Sequence, residues 1–175
     1  MEDALKAFEA KGWERSKFFD ILKEERNFYD LEGTFYNRRD CSIQVFPTLN
    51  NKNIVGTIAI FLPQRDTFKD LKNEYDDLKA ALSEKYYIVS STESFDNESV
   101  GESTLDELKL MAISRDEAKF MTEFHLSENK EDDLLGFIRL YIGHIKVKDN
   151  DYFKIVILYC TYDHIMDQIN ASDDL

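Results

Sequence analysis

Hydrophobic and polar residues alternate with a period of two in the first third of the chain, and this pattern predicts β-strands. Apolar residues or glycine recur at every second position over 29–35, and apolar side chains do so again over 41–45. The run 54–62 is nearly all apolar, as expected of a strand covered on both faces. Polar turn residues separate these runs, and Pro47 ends the second one. We therefore expect a three-stranded antiparallel meander.

A helical period follows this meander. The apolar residues are spaced alternately three and four apart, which places them on one face of an α-helix. They are Phe68, Leu71, Tyr75, Leu78 and Leu82. Thr67, followed three residues later by an acid at Asp70, is typical of a helix N-terminus. We expect a long helix over 66–85 whose apolar stripe lies on the sheet.

The second half of the chain returns to strand-like patterning. Alternation recurs in four runs separated by polar turns, at 108–112, 120–126, 137–147 and 153–162. The polar stretch 90–104 contains one glycine and no proline, and it is predicted to be a flexible loop.

Shorter elements are predicted near the two ends of the chain. Residues 2–11 form a helix that ends at Gly12. The segment 13–27 fits either a second short helix or the beginning of a strand. A short helix is expected around 165–169, followed by a frayed acidic tail at 170–175.

These elements predict a single α+β domain over residues 1–175. Its expected core is an antiparallel sheet of about seven strands, packed by one long helix and one or two short helices. Both halves read as a helix followed by strands, so two pseudo-repeats of helix plus meander are a further expectation. A chain of 175 residues, 43% of them hydrophobic, is long enough to bury a substantial core.

The charge of the chain excludes several classes of partner. Its net charge is −13, and its acidic residues are spread along the whole sequence. Binding to nucleic acid or to an anionic membrane requires clustered Lys and Arg, so neither partner is expected. A solvated acidic surface is the simplest interpretation. An acidic face for a basic partner, or an imitation of nucleic-acid charge, stays open as an alternative.

The compartment is inferred from what the ends of the sequence lack. Residues 1–25 contain no basic region followed by an apolar run, so no signal peptide is predicted and the cytoplasm is expected. If a signal was removed before Met1, the protein is exported instead. No stretch approaches the ~20 apolar residues of a membrane helix.

The cysteines and histidines are few. Cys41 and Cys160 each stand in an apolar strand-like run, and we expect buried free thiols. One bridge between the two strands is the alternative, and it requires an oxidising compartment. His125 is predicted to point outward from its strand, and His144 to lie within the sheet. If the protein is an enzyme, His144, His125 and Tyr141 are the candidate catalytic residues.

Metal and cofactor signatures are weak. Asp163, His164 and Asp167 are the nearest approach to a metal cluster, because the two acids meet on one face if this tail is helical. Zinc requires three or four converging ligands, and no neighbouring residue completes the set. The chain contains no Gly-rich phosphate loop and no Gly-x-Ser-x-Gly elbow. We expect neither a metal nor a cofactor.

Several short sequences, taken in order, resemble a family of small uncharacterised α+β proteins of Bacteroides-type gut bacteria. They are Lys11-Gly12-Trp13, Gly33-Thr34-Phe35, Leu62-Pro63, Asp66-Thr67-Phe68, Lys85-Tyr86 and Tyr162-Asp163-His164-Ile165. The chain departs from that pattern at Tyr87, where the family has glycine. The resemblance implies an α+β fold and export of many members. It implies no known activity, so no catalytic residue is carried over.

Three hypotheses for function follow. The first is a non-catalytic module that binds another protein through the exposed face of the sheet or through the segment 90–104. The second is an enzyme or small-ligand carrier with a pocket between sheet and helix. The third is an acidic inhibitor that imitates nucleic acid. A monomer or a weak homodimer is expected in each case.

Overall fold

The computed structural model describes residues 1–16, 28–103, 105–126 and 136–162. Its helices are α1 (Glu2–Glu9), α2 (Phe68–Ser83), α3 (Glu98–Glu102) and α4 (Asp106–Ser114). Its strands are β1 (Glu14–Arg15), β2 (Tyr29–Phe35), β3 (Arg38–Pro47), β4 (Val55–Phe61), β5 (Tyr87–Phe95), β6 (Ala118–His125), β7 (Phe137–Val147) and β8 (Asn150–Cys160).

Within the described residues, these eight strands form one antiparallel sheet in the order β1-β2-β3-β4-β8-β7-β6-β5. The first four strands lie side by side in chain order, and the last four return in reverse order. β4 pairs with β8 at the centre, so β1 and β5 occupy the two edges. The predicted α+β class and antiparallel sheet are confirmed, with eight strands instead of about seven.

The sheet has two faces of different character, because successive side chains of a strand point to opposite sides. We call the side that packs against the helices the inner face. Its central ladder consists of Ile43, Ile60, Ile157 and Leu140, which are paired in register and nearly fully buried. We call the other side the outer face.

Helix α2 forms as its sequence predicts. The Thr67 side chain accepts a hydrogen bond from the backbone N–H of Asp70 at 3.1 Å, which caps the first turn. All five residues of the predicted apolar stripe are buried. A stripe of this kind stabilises the helix mainly through its packing on the sheet.

Two of the motifs that carry the family resemblance meet in the fold. The Trp13 ring is 6% exposed and lies directly over Gly33 in β2. A Cβ atom at Gly33 would stand 2.7 Å from the Trp13 ring. The absence of a side chain at Gly33 is therefore what lets the tryptophan close this end of the core.

Two predicted elements were wrong. The expected loop at 90–104 consists largely of strand β5 and helix α3. Edge strands in water need no apolar face, so β5 lacks the alternation that marks the other strands. The expected strand over 108–112 is helix α4, and it buries Ala112 and Ile113 on the inner face. Over such a short run, its apolar residues fit both the strand period of two and the helix period of about 3.6 residues.

Smaller differences concern turns and termini. The first hairpin turns at Tyr36 and Asn37, which both have positive φ, so Arg38 already belongs to β3 and not to the turn. The segment 13–27 was predicted to be either a short helix or the beginning of a strand. Its described part contains the strand β1 at Glu14–Arg15. The predictions for 17–27, for the polar turn that follows the run 120–126 and for the chain from 163 onward fall outside the described residues.

Candidate functional site

The sequence-derived catalytic candidates lie on different faces of the sheet. His144 is on the inner face near the end of β7, where its ring stacks at 5.1 Å on Phe153. Its Nε2 atom is 2.7 Å from Asp151 Oδ1. Both partners belong to the neighbouring strand β8, so these contacts fasten the end of the β7–β8 hairpin.

Tyr141 and His125 belong to the outer face. Tyr141 is paired with Met121 and Val156, and its ring lies over Gly143. His125 is paired with Phe137, four residues before Tyr141 on β7. At ~3.4 Å per residue, about 14 Å of strand separates the two positions. The fold therefore does not bring His144, His125 and Tyr141 together.

The buried tyrosines are poor proton acceptors or donors at neutral pH. Burial raises the pKa of Tyr75 and of Tyr141, and it raises the pKa of Tyr159 to about 12. General acid–base catalysis works best when the pKa of the catalytic group lies near the working pH. Burial moves the pKa of each of these tyrosines further from neutral pH, which favours a structural role for them.

Residues with metal-binding chemistry do not converge in the described part of the chain. No group of three or more His, Cys, Asp or Glu side chains there is arranged to hold a metal ion. The candidates Asp163, His164 and Asp167 lie outside the described residues.

The two cysteines are free thiols on opposite faces. Cys41 is 1% exposed on the inner face of β3, and burial raises the pKa of its thiol. Cys160 is half-buried on the outer face of β8, where the Thr57 hydroxyl donates to its sulfur at 3.5 Å. The prediction of free thiols is confirmed, and the alternative of one bridge is wrong, because β4 lies between the two strands.

A polar network that the sequence did not predict joins α2 to the edge of the sheet. The Tyr75 and Thr122 hydroxyls are 2.6 Å apart, and Thr122 lies 2.9 Å from the Ser91 hydroxyl. Lys79 Nζ donates to Ser91 at 2.8 Å and also to Glu93. An ammonium paired with a carboxylate has no lone pair to accept the serine proton. This network therefore fixes β5 to α2 and does not activate a nucleophile.

A second polar cluster lies on the other side of α2. Glu74 is 7% exposed, and its Oε1 accepts from Arg38 Nε at 2.6 Å and from Arg65 Nη2 at 3.1 Å. The Arg38 side chain is only 18% exposed. The second oxygen, Oε2, is buried without a hydrogen-bond partner. The cluster ties the first hairpin and the chain before α2 to the helix.

The outer face carries a groove of about 410 Å³ across β6, β7 and β8. Its lining combines apolar side chains with two cations and one carboxylate, and it includes Asp116, Lys119, Met121, Arg139, Tyr141 and Leu158. Arg139 Nη2 donates to Glu123 Oε2 at 2.7 Å, and the guanidinium lies 4.9 Å from the centre of the Phe137 ring. Packing of this kind holds Arg139 in one orientation.

A second cavity of about 550 Å³ lies near the opposite edge, over β1, β2 and the start of β3. Both signs of charge line it, from Glu14, Glu32, Asp40, Arg39 and Lys154. The pocket expected between sheet and helix does not correspond to either of these two cavities.

The longer of the two edge strands is β5, which has nine residues against two in β1. Eight of its nine residues are exposed, and in the described part of the chain it pairs with β6 alone. Tyr87, Ile88 and Val89 are 45%, 46% and 52% exposed. The strand contains neither Lys nor Pro, the residues with which natural sheets commonly protect their edges.

Comparisons with known protein families, with characterised proteins and with solved structures find no match for this chain. The resemblance to the Bacteroides-type family therefore stays a prediction. Among the described helices, none combines the length and the apolar character needed to cross a membrane.

Proposed function

We propose that this protein is a non-catalytic protein-binding module, which accepts an extended segment of a partner chain as an additional strand beside β5. The observation that carries the proposal is the exposure of β5 along almost its whole length. Such an edge presents a row of backbone N–H and C=O groups to a second chain. Main-chain hydrogen bonds supply the affinity in this mode of recognition, and alternate side chains supply the specificity.

The length of β5 supports this role. Nine residues at ~3.4 Å each give an edge of about 30 Å, which is longer than the mean strand of five or six residues. The register with β6 shifts between Ile88 and Ser90, so a bulge divides the edge. A bulge protects an edge from pairing, but the stretch from Ser90 to Phe95 is regular and contains none.

The edge is also rigidly supported from behind. Glu93 forms ion pairs with Lys79 and Lys72 of helix α2. In the second pair, Lys72 Nζ lies 3.1 Å from Glu93 Oε2. Ser91 is joined to the buried Thr122 of the adjacent strand. A strand that is fixed in its extended shape loses little conformational entropy when another strand pairs with it.

A display library of random extended peptides tests the proposal directly. The matched variants are Ser91→Pro and Thr92→Pro, because neighbouring N–H groups on a strand point to opposite sides. One variant removes a hydrogen bond to β6 and lowers the free energy of unfolding. The other removes an outward donor and leaves stability nearly unchanged. Ser91→Ala is the control for the hydroxyl contacts to Lys79 and Thr122 that Ser91→Pro also removes.

We expect wild-type protein to retain peptides from the library, and the proline variant of unchanged stability to lose them. Amide hydrogen exchange of the complex should show new protection in β5. Failure to retain any peptide would contradict the proposal, and so would peptides that bind both proline variants as well as wild type.

A second candidate function, a small-ligand carrier, is supported by the outer-face groove. Its volume of about 410 Å³ falls in the range of ligand pockets. Two cations, Arg139 and Lys119, stand in its lining against one carboxylate, Asp116, so an acid that displaces Glu123 from Arg139 is the favoured ligand. Thermal shift with a panel of aromatic carboxylates tests this function, with Arg139→Gln as the matched variant. Stabilisation by an acid that Arg139→Gln abolishes would support it, and no shift across the panel would exclude this class of ligand.

A further inference from the structure

We infer that the chain which pairs with β5 is a second copy of this protein, related by a two-fold axis midway between the two copies of Thr92. The inference rests on the proposed function, since it names the partner of the same edge. The two sheets would join into one continuous antiparallel sheet through their β5 strands. A two-fold relation lets the same surface serve both partners.

The faces of the sheet restrict the possible registers. A two-fold axis perpendicular to the sheet leaves inner and outer faces on the same sides, so each residue must oppose one from its own face. β5 places Ser90, Thr92 and Ser94 on the outer face, because they pair with outer-face residues of β6. Ser91 and Glu93 belong to the inner face. The axis must therefore lie between the two copies of a single residue, so that this residue faces its own copy. It cannot lie between two residues that are neighbours in sequence.

Of these registers, the one centred on Thr92 fits best. It opposes Thr92 to itself, Ser90 to Ser94 and Ser91 to Glu93, entirely within the regular stretch after the bulge. Pairs of hydroxyl residues on neighbouring strands stabilise a sheet, and this register places no two carboxylates opposite each other. A centre at Glu93 would oppose two carboxylates, and a centre at Ser91 would oppose Glu93 to Val89 in the bulge.

Electrostatics at this edge permit self-association despite the overall charge. Two copies each carry a net charge of −13 and repel one another at long range. Glu93 is the single charged residue of β5, and it is already paired with Lys72 and Lys79 of its own chain. The seam itself is therefore close to neutral, and salt that screens the long-range repulsion should strengthen the dimer.

The size of the seam sets the expected affinity. Stable interfaces bury about 800 Å² on each partner, and one strand edge supplies only part of that area. We therefore expect a reversible dimer that forms at high protein concentration. Its mass should rise from 20.6 kDa toward twice that value.

Sedimentation equilibrium of the full chain, from micromolar to millimolar concentration and at low and high salt, measures this association. Thr92→Lys places two like charges directly opposite each other and should weaken the dimer by about two- to fivefold at low salt. Thr34→Lys, at an exposed threonine of β2, is the control with the same change of charge. Thr92→Glu should weaken the homodimer in the same way.

Mixing the Thr92→Lys and Thr92→Glu variants provides the specific test. Opposite charges then face each other across the axis, and a heterodimer should form more strongly than either homodimer. If each variant alone forms a weaker homodimer and the mixture regains dimerisation, a folding defect is also excluded as the cause. A wild-type protein that stays monomeric over the whole range would overturn the inference, as would a mixture that does not recover.

The two proposals fail separately. If wild-type protein retains display peptides at β5 but does not self-associate, the partner is another protein and only the present inference is wrong. If a dimer forms but Thr92→Lys and Thr34→Lys weaken it equally, the copies meet through another surface, and the inference is again overturned. Absence of both peptides and dimer would overturn both proposals.

Discussion

Replacing Glu74 by alanine tests how strongly one buried carboxylate supports the fold. Glu74 Oε1 accepts hydrogen bonds from Arg38 and Arg65, which come from the first hairpin and from the chain before α2. In the Glu74→Ala variant the Arg38 guanidinium, 18% exposed, loses its short ion pair. The exposed Asp77, whose Oδ2 lies 3.9 Å from Arg38 Nη2, cannot replace it.

The magnitude follows from the burial of the partners. Removing one member of a fully buried ion pair costs about 3–5 kcal/mol, because the remaining charge lacks a counter-ion. Arg65 is 32% exposed and can turn toward water, and Glu74 already leaves Oε2 without a partner. We therefore expect a smaller loss, of about 2–3 kcal/mol. In a chain of 175 residues this corresponds to a fall in Tm of roughly 5–10 °C.

Urea unfolding at neutral pH, followed by circular dichroism, measures this loss. The matched control is Asp77→Ala on the same helix, where the side chain is 75% exposed and the expected change is below ~0.5 kcal/mol. The double variant Arg38→Met/Glu74→Leu should be less destabilised than Glu74→Ala, because it leaves no unpaired charge from that pair. Equal effects of Glu74→Ala and Asp77→Ala would refute the reasoning.

Three further predictions concern the other polar groups. Tyr75→Phe and Thr122→Val each remove the buried 2.6 Å hydrogen bond, and each should cost about 1–2 kcal/mol, with a double variant clearly less destabilised than the sum; additive losses would show that the two hydroxyls are not coupled. Burial acts to raise the pKa of Glu93, but its ion pairs with Lys79 and Lys72 lower the pKa below its ordinary value. Glu93→Gln should therefore destabilise the protein by up to ~1 kcal/mol at neutral pH, and the difference should vanish in urea titrations as the pH falls through that lowered pKa; a difference that persists in acid would contradict the ion pairs. A thiol reagent should modify Cys160 in the native protein and Cys41 only after unfolding, and rapid native modification in a Cys160→Ser variant would show that Cys41 is accessible.

Much of the fold could be predicted because its central elements have a strong period. Helix α2 has an apolar stripe and a capping threonine, and both signals are local. Strands β2, β3, β6 and β7 each bury one face, so alternation marks them. β5 was missed because its two faces are both exposed, and an edge in water leaves no periodic signal.

The candidate site was harder to predict because it depends on pairings that are distant along the chain. Arg38 and Glu74 are 36 residues apart, and Tyr75 and Thr122 are 47 residues apart. The spacing of charges along α2 gave no sign that Glu74 would be buried, since it neighbours Tyr75 in a helix with several exposed acids. Conversely, His144, His125 and Tyr141 were the catalytic candidates from the sequence, but strand alternation and register place them apart.

The sequence by itself determined the local elements, since caps, turns and apolar periods act through neighbouring residues. It also determined the large negative charge and the scarcity of histidine and cysteine, which limit the available chemistry. Only the tertiary structure decided the order of the strands, and with it which strand stands at the edge. Edge position arises from the pairing of β4 with β8, more than ninety residues apart, and no local pattern encodes that contact.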